Sequence, residues 1–370
     1  MGEIDFEAEG LLDGLDERER EARRRLLDEL SAEGIPLEEL RRAVSEDRLA
    51  LLPVERVLEG EGPRYNAVEV AARAGIDVEM LERQRRGLGL SVPDRDERVY
   101  NDDDVEAARR MRAFLDAGLP EEGLFEVSRV LGIGMSQIAA ATRELLADAL
   151  LYPGDTERDV GLRYADAARS LGPTIGPLLE HVFYLHQREQ VRSEAVGQAE
   201  RASGRLPGSA EIAVCFADLV GFTRLGEQLP AEELGRVTGR LSELAGEVAG
   251  PPVRLVKLIG DAAMLVSPDT DPLLDAALSL VDAGEDEGEE FPLLRAGVAR
   301  GRALPRGGDW YGRPVNMASR ITSVAYPTSV LCAAEVRDSA EREYRWSAAG
   351  SRRLKGIREP VRLYRARRGE

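Results

Sequence analysis

Near residue 205 the spacing of apolar residues changes from the helical period of three to four to the two-residue alternation of strands. One layer of packing does not accommodate both patterns, so the chain is expected to divide into an all-α first domain and an α+β second domain. Its 370 residues, 43% of them hydrophobic, suffice for two cores. In the first part, stretches such as DEREREARRRLLDELSAEG place Leu26, Leu27 and Leu30 on one helical face and stop at a glycine. Pro173 and Pro177, in GPTIGP, interrupt the helical pattern, and a linker helix is predicted from Pro177 to residue 200. The expected organisation is therefore a helical domain over 1–200, a flexible joint over 201–207 and a second domain over 208–370.

Charge and composition exclude several classes. A net charge of −18 opposes nucleic acid and anionic lipid. Residues 65–90 read as helix, turn at Gly75, helix, a pattern resembling the DNA-binding fold of MerR-like regulators, with Arg83, Arg85 and Arg86 on its second helix. Acidic runs follow at once, so a packing module is the expected role and a transcription regulator the competing one. No apolar run approaches the roughly 18 residues of a membrane span, and the start MGEIDFEAEG lacks the features of a signal peptide, so a cytoplasmic protein is expected. Cys215 and Cys332 stand far apart without metal-ligand company and read as reduced core thiols.

The second part alternates strand and helix signals. EIAVCFADLVGF reads as a strand that ends on a carboxylate, Asp218. LVKLIGDAAMLV reads as two strands around a tight turn carrying Asp261. Paired strand-end acids repel unless a cation or proton lies between them, and oxygen ligands in small number suit Mg²⁺ or Mn²⁺ rather than zinc. Taken alone, such aspartates also serve as turn or cap residues. Lys257, in an otherwise apolar run, needs a polar partner. Asn316 and Arg320, four apart in VNMASR, fall on one helix face suited to gripping an anion. Asp309 precedes Asn316 by seven residues, and Lys355 lies in RRLKGI.

FADLVGFT, KLIGD and DWYGRPVNMASR occur in the order and spacing of class III nucleotidyl cyclases, and residues 208–368 resemble that family's ferredoxin-like catalytic domain. The resemblance implies an adenylate cyclase that converts ATP to cyclic AMP and pyrophosphate. It implies Asp218 and Asp261 as ligands of two divalent ions, Lys257 and Asp309 as readers of adenine, Asn316 as the residue orienting the ribose, Arg320 as the stabiliser of the transferring phosphate, and Lys355 as a contact to terminal phosphates. Asp309 as acceptor favours adenine's amine over guanine's carbonyl. Family members place the aspartates on one protomer and the remaining groups on the other, so a homodimer with two sites is implied.

GGDWY at 307–311 begins like a diguanylate cyclase signature, but Trp310 stands where that family needs a Glu. Arg313 and Pro314 stand where class III members more often hold small or polar residues. The first part resembles the helical regulatory domains of soluble actinobacterial cyclases, some of which respond to pH. That likeness makes His181 and His186, the only histidines, candidate regulatory residues; five positions apart, they project about 140° from each other on a helix. The likeness implies autoinhibition and pH sensing, and the apolar helical part has volume for a lipid or other small ligand, though no motif names one. A non-catalytic cyclase fold serving as a sensing or dimerising module is the alternative, and it would show gaps in the residue set.

Overall fold

The computed structural model describes residues 4–60, 62–201 and 208–369, with side chains throughout except at 192–201. The joint expected over 201–207 lies outside the described residues apart from Arg201. Two compact units form, Met1–Gln198 and Ala199–Glu370.

The first unit is helical: α1 Glu17–Ala32, α2 Leu37–Ser45, α3 Leu52–Glu59, α4 Ala67–Ala74, α5 Val78–Gly87, α6 Asp102–Asp116, α7 Glu121–Leu150 and α8 Glu157–Arg201. Leu26, Leu27 and Leu30 of α1 are buried in its core together with Phe6, Leu12 and Leu40. Asp16 caps α1 in a capping box with Glu19, and Asn66 does the same for α4 with Glu69, each pair satisfying two end amides. The helix-turn-helix signal is α4, a left-handed Gly75 and α5. Its arginines serve the fold: Arg83 pairs with Glu121 and Glu122 of α7, Arg85 donates to the Ser91 carbonyl, and Arg86 lies near Glu82. At Gly132 a Cβ would lie 2.5 Å from the Leu88 carbonyl oxygen, so a side chain there would hold α7 off the end of α5.

One expectation fails here. Pro173 and Pro177 do not delimit a linker helix starting at 177; both lie inside α8, which runs unbroken from Glu157. Each proline follows a glycine, Gly172 and Gly176, which has no Cβ to clash with the ring. The carbonyls four residues earlier, of Arg169 and Pro173, lose their helical donors, but both residues are exposed and water can replace the bonds.

The second unit contains β1 Ala210–Leu219, α9 Phe222–Leu225, α10 Ala231–Val248, β2 Arg254–Ile259, β3 Ala262–Ser267, α11 Thr270–Asp286, β4 Leu294–Arg306, β5 Asp309–Tyr311, α12 Arg313–Thr322, β6 Val330–Ala333, α13 Ala334–Ser339, β7 Tyr344–Arg352 and β8 Val361–Arg368. The sheet order is β2-β3-β1-β4-β6-β8-β7, with β5 paired to β4. Its first four strands, all antiparallel neighbours and linked through α10 and α11, make the ferredoxin-like βαββαβ arrangement. Strand β1 is buried on both faces. Ala213, Cys215 and Ala217 share a core with α10 and α11, and Ile212, Val214 and Phe216 share one with α12. Cys215 and Cys332 are both free and buried, and burial pushes the Cys215 thiol up to about 12. Sequence reading did not foresee β5 or β7.

Candidate active site

The acids meet because of strand pairing. Asp218 is the penultimate residue of β1 and stands in register with Ala262, the first residue of β3. Asp261 precedes Ala262 in a two-residue turn whose first residue, Gly260, has φ 59°, a positive value that a glycine-first hairpin turn favours. The Leu219 amide donates to the Asp261 carbonyl at 3.0 Å and clamps that turn to the end of β1. Burial, and next the Asp218 charge, hold the Asp261 carboxyl above its usual range; a hydrogen bond with Asp218 acts in the same sense, and Arg295 opposes it.

Arg295, on β4, is a neighbour of Asp218 that sequence reading missed. It faces Asp218 in the β1–β4 register, and its Nη2 donates to Asp218 Oδ2 at 2.7 Å. The signal was available: like Lys257, it is a cation in an apolar strand, and such a charge needs a partner.

Lys257, on β2, forms an ion pair with Asp309, the first residue of β5. The other Asp309 oxygen accepts the Trp310 amide at 2.8 Å, so a donor on each side fixes the carboxylate. Each half-buried charge satisfies the other, which answers the question that the lysine's apolar surroundings pose.

Helix α12 carries Asn316 and Arg320, both exposed, on the face opposite Met317, Ala318 and Ile321. Close contact with the sheet sets its position. A Cβ on Gly297 of β4 would come within 2.3 Å of the Thr322 amide nitrogen, and the Thr322 hydroxyl donates to the Phe216 carbonyl at 3.1 Å. At its start, Gly312 has φ 153°, and a Cβ there would meet the Arg302 carbonyl at 2.9 Å. Lys355 is exposed on the turn between β7 and β8, and His181 and His186 are exposed on α8.

Among the described residues no cluster of three or more His, Cys, Asp or Glu side chains could hold a metal. The Asp218–Asp261 pair does fit a hard divalent cation. It offers carboxylate oxygens alone and carries an electrostatic conflict that a cation resolves, and two carboxylates completed by water and phosphate are a usual setting for Mg²⁺. Among the described residues no helix is long and apolar enough to cross a membrane.

Residues 4–191 match the family described as "Adenylate cyclase regulatory domain", and residues 206–366 match "Adenylate and Guanylate cyclase catalytic domain". The chain is 42% identical to the pH-sensitive adenylate cyclase MT1302 of Mycobacterium tuberculosis, across 99% of this chain and 93% of that protein. It is 32% identical to the uncharacterized protein Rv2212 of Mycobacterium tuberculosis, across 97% and 93% of the two chains. It is also 31% identical to an adenylate cyclase of Streptomyces coelicolor, across 77% and 74%. Matched from end to end by one such enzyme and in both parts by the two domain families, the chain belongs to the class III adenylate cyclases that carry a helical regulatory domain ahead of the catalytic domain.

Proposed function

We propose that the chain forms cyclic AMP from ATP by in-line attack of the ribose 3′-hydroxyl on the α-phosphate, at sites shared across a homodimer and regulated by the helical unit. The observation that carries this reading is the coexistence of two pairs that folding assembles from distant segments: Asp218 with Asp261, and Lys257 with Asp309. Divalent ions bound at Asp218 and Asp261, Mg²⁺ or Mn²⁺, would supply charge neutralisation for the triphosphate and acidify the attacking hydroxyl. Lys257 donates to the adenine ring nitrogen and Asp309 accepts from its exocyclic amine; guanine would leave that carboxylate facing a carbonyl. Asn316 holds the ribose, and Arg320 offsets the charge that grows on the α-phosphate. Lys355 meets the terminal phosphates. Holding the hydroxyl against the phosphorus makes the step intramolecular, worth roughly 7–11 kcal/mol of barrier.

One observation supports sharing between protomers. On α8, Leu171, Ile175, Leu178, Val182 and Leu185 follow a four-three spacing and are 40% to 61% exposed, a stripe that a second copy of the helix would cover. The test mixes two inactive variants, Asp218→Ala and Asn316→Ala, and assays cyclic nucleotide from ATP and from GTP with Mn²⁺. Recovery of about one site per mixed dimer, on ATP in preference to GTP, is expected. No recovery at any mixing ratio would sink the shared site.

Acid pH is proposed as the regulatory signal, through His181 and His186 and consistent with the name of the MT1302 relative. A His181→Asn, His186→Asn variant is expected to lose the pH response. An unchanged profile would assign the response to carboxylates instead.

A further inference from the structure

Arg295 is tied to the proposed metal site by backbone pairing and by side-chain contact together. The β1–β4 register sets it directly opposite Asp218. Nε and Nη2 both donate to Asp218 Oδ2, at 3.2 and 2.7 Å, and neither bond uses Oδ1. Nη1 extends to the carbonyl of Ser323, the C-cap residue of α12, at 3.4 Å. Both side chains are mostly buried, at 25% and 20% exposure, so the contact lies beyond the usual exposed surface pair.

We propose that Arg295 is a positioning residue for the divalent cation: by gripping Oδ2 it fixes the plane of the Asp218 carboxylate and leaves Oδ1 as the oxygen offered to the metal. This rests on the metal reading of Asp218 and Asp261 given above. A carboxylate free to turn about its side-chain bonds would have to be ordered when the cation arrives; one gripped through a single oxygen is ordered beforehand. The planar guanidinium suits this task because two N–H groups converge on one oxygen, which one ammonium cannot reproduce in the same geometry. Its charge acts in the opposite sense by repelling the cation. The two effects therefore predict opposite changes on substitution, and orientation is the larger one proposed.

The experiment measures Mn²⁺ binding to the full-length chain without nucleotide, from the electron paramagnetic resonance signal of free Mn²⁺. Arg295→Gln is expected to weaken binding about tenfold or more, the usual range for losing a group that orients a metal ligand. Arg295→Lys, which keeps the repelling charge but loses the fork, is expected to weaken binding as well. Unchanged or tighter binding in Arg295→Gln overturns the proposal. Circular dichroism checks the fold of each variant. Should Arg295→Gln fail to fold, Arg295→Lys carries the test, and affinity at or above wild type overturns it. Asp218→Asn separates the two readings: Mn²⁺ binding that survives this change locates the failure in the metal assignment, not in Arg295.

Discussion

At the scale of single residues, Asp261 carries the clearest stability signature. Burial first, and the Asp218 charge second, raise its carboxyl, so the folded chain holds a proton that the unfolded chain has already released. Between the ordinary carboxylate value of about 4 and that raised value, stability falls as pH rises. Without metal, Asp261→Asn is therefore expected to melt at a higher temperature than wild type at about pH 7, with the gap closing toward about pH 4. Calorimetry in the presence of a chelator checks this; equal melting at both pH values would mean that the acids do not conflict. Most of this site was legible in the sequence because its members break local rules. An acid ends an apolar strand at Asp218, and a cation interrupts one at Lys257. Arg295 broke the same rule and was still missed, because its partner depends on a β1–β4 register that no spacing within LRAGVARG specifies.

At the scale of elements, α12 depends on a residue that it does not contain. Gly297 gives it room: a Cβ there would come within 2.6 Å of the Ala318 carbonyl and 2.5 Å of the Thr322 hydroxyl. Gly297→Ala is expected to cost roughly 1–3 kcal/mol of stability through overpacking. It is also expected to lower kcat by about 100-fold, as a shift of about 1 Å in the helix displaces Asn316 and Arg320. Thermal unfolding and steady-state kinetics check the two parts separately, and wild-type kcat in a destabilised protein would mean that the helix re-seats. Helices with one buried face were readable from their period, as in α1, and β1, buried on both faces, from its apolar run. The failures have physical causes. YRWSAAGSR, now β7, lies at the sheet edge with most of its residues exposed or half-buried and so lacks a clean alternation. GPTIGP looks like a break because proline opposes helix in isolation, whereas the preceding glycines relieve the clash.

At the scale of the whole molecule, the exposed stripe on α8 should govern association. Leu178→Glu puts a charge into the seam expected between two copies, so the variant is expected to sediment as a monomer at concentrations where wild type is expected to dimerise. Sedimentation velocity checks this, and an unshifted dimer would assign association to the catalytic units alone. The two-unit division was legible from the change of period, and the family from three motifs. How the stripe is covered was not, because a heptad read from one chain names no partner. The exposed stripe on α8 has a kinetic consequence on the shared-site reading. A lone chain then holds two unfinished halves and no finished centre. Turnover per chain should fall on dilution below the dimer's dissociation constant, and the rate of cyclic AMP formation should there rise with the square of protein concentration. Expression level would then act on the enzyme twice, once through the number of chains and once through the fraction that has found a partner.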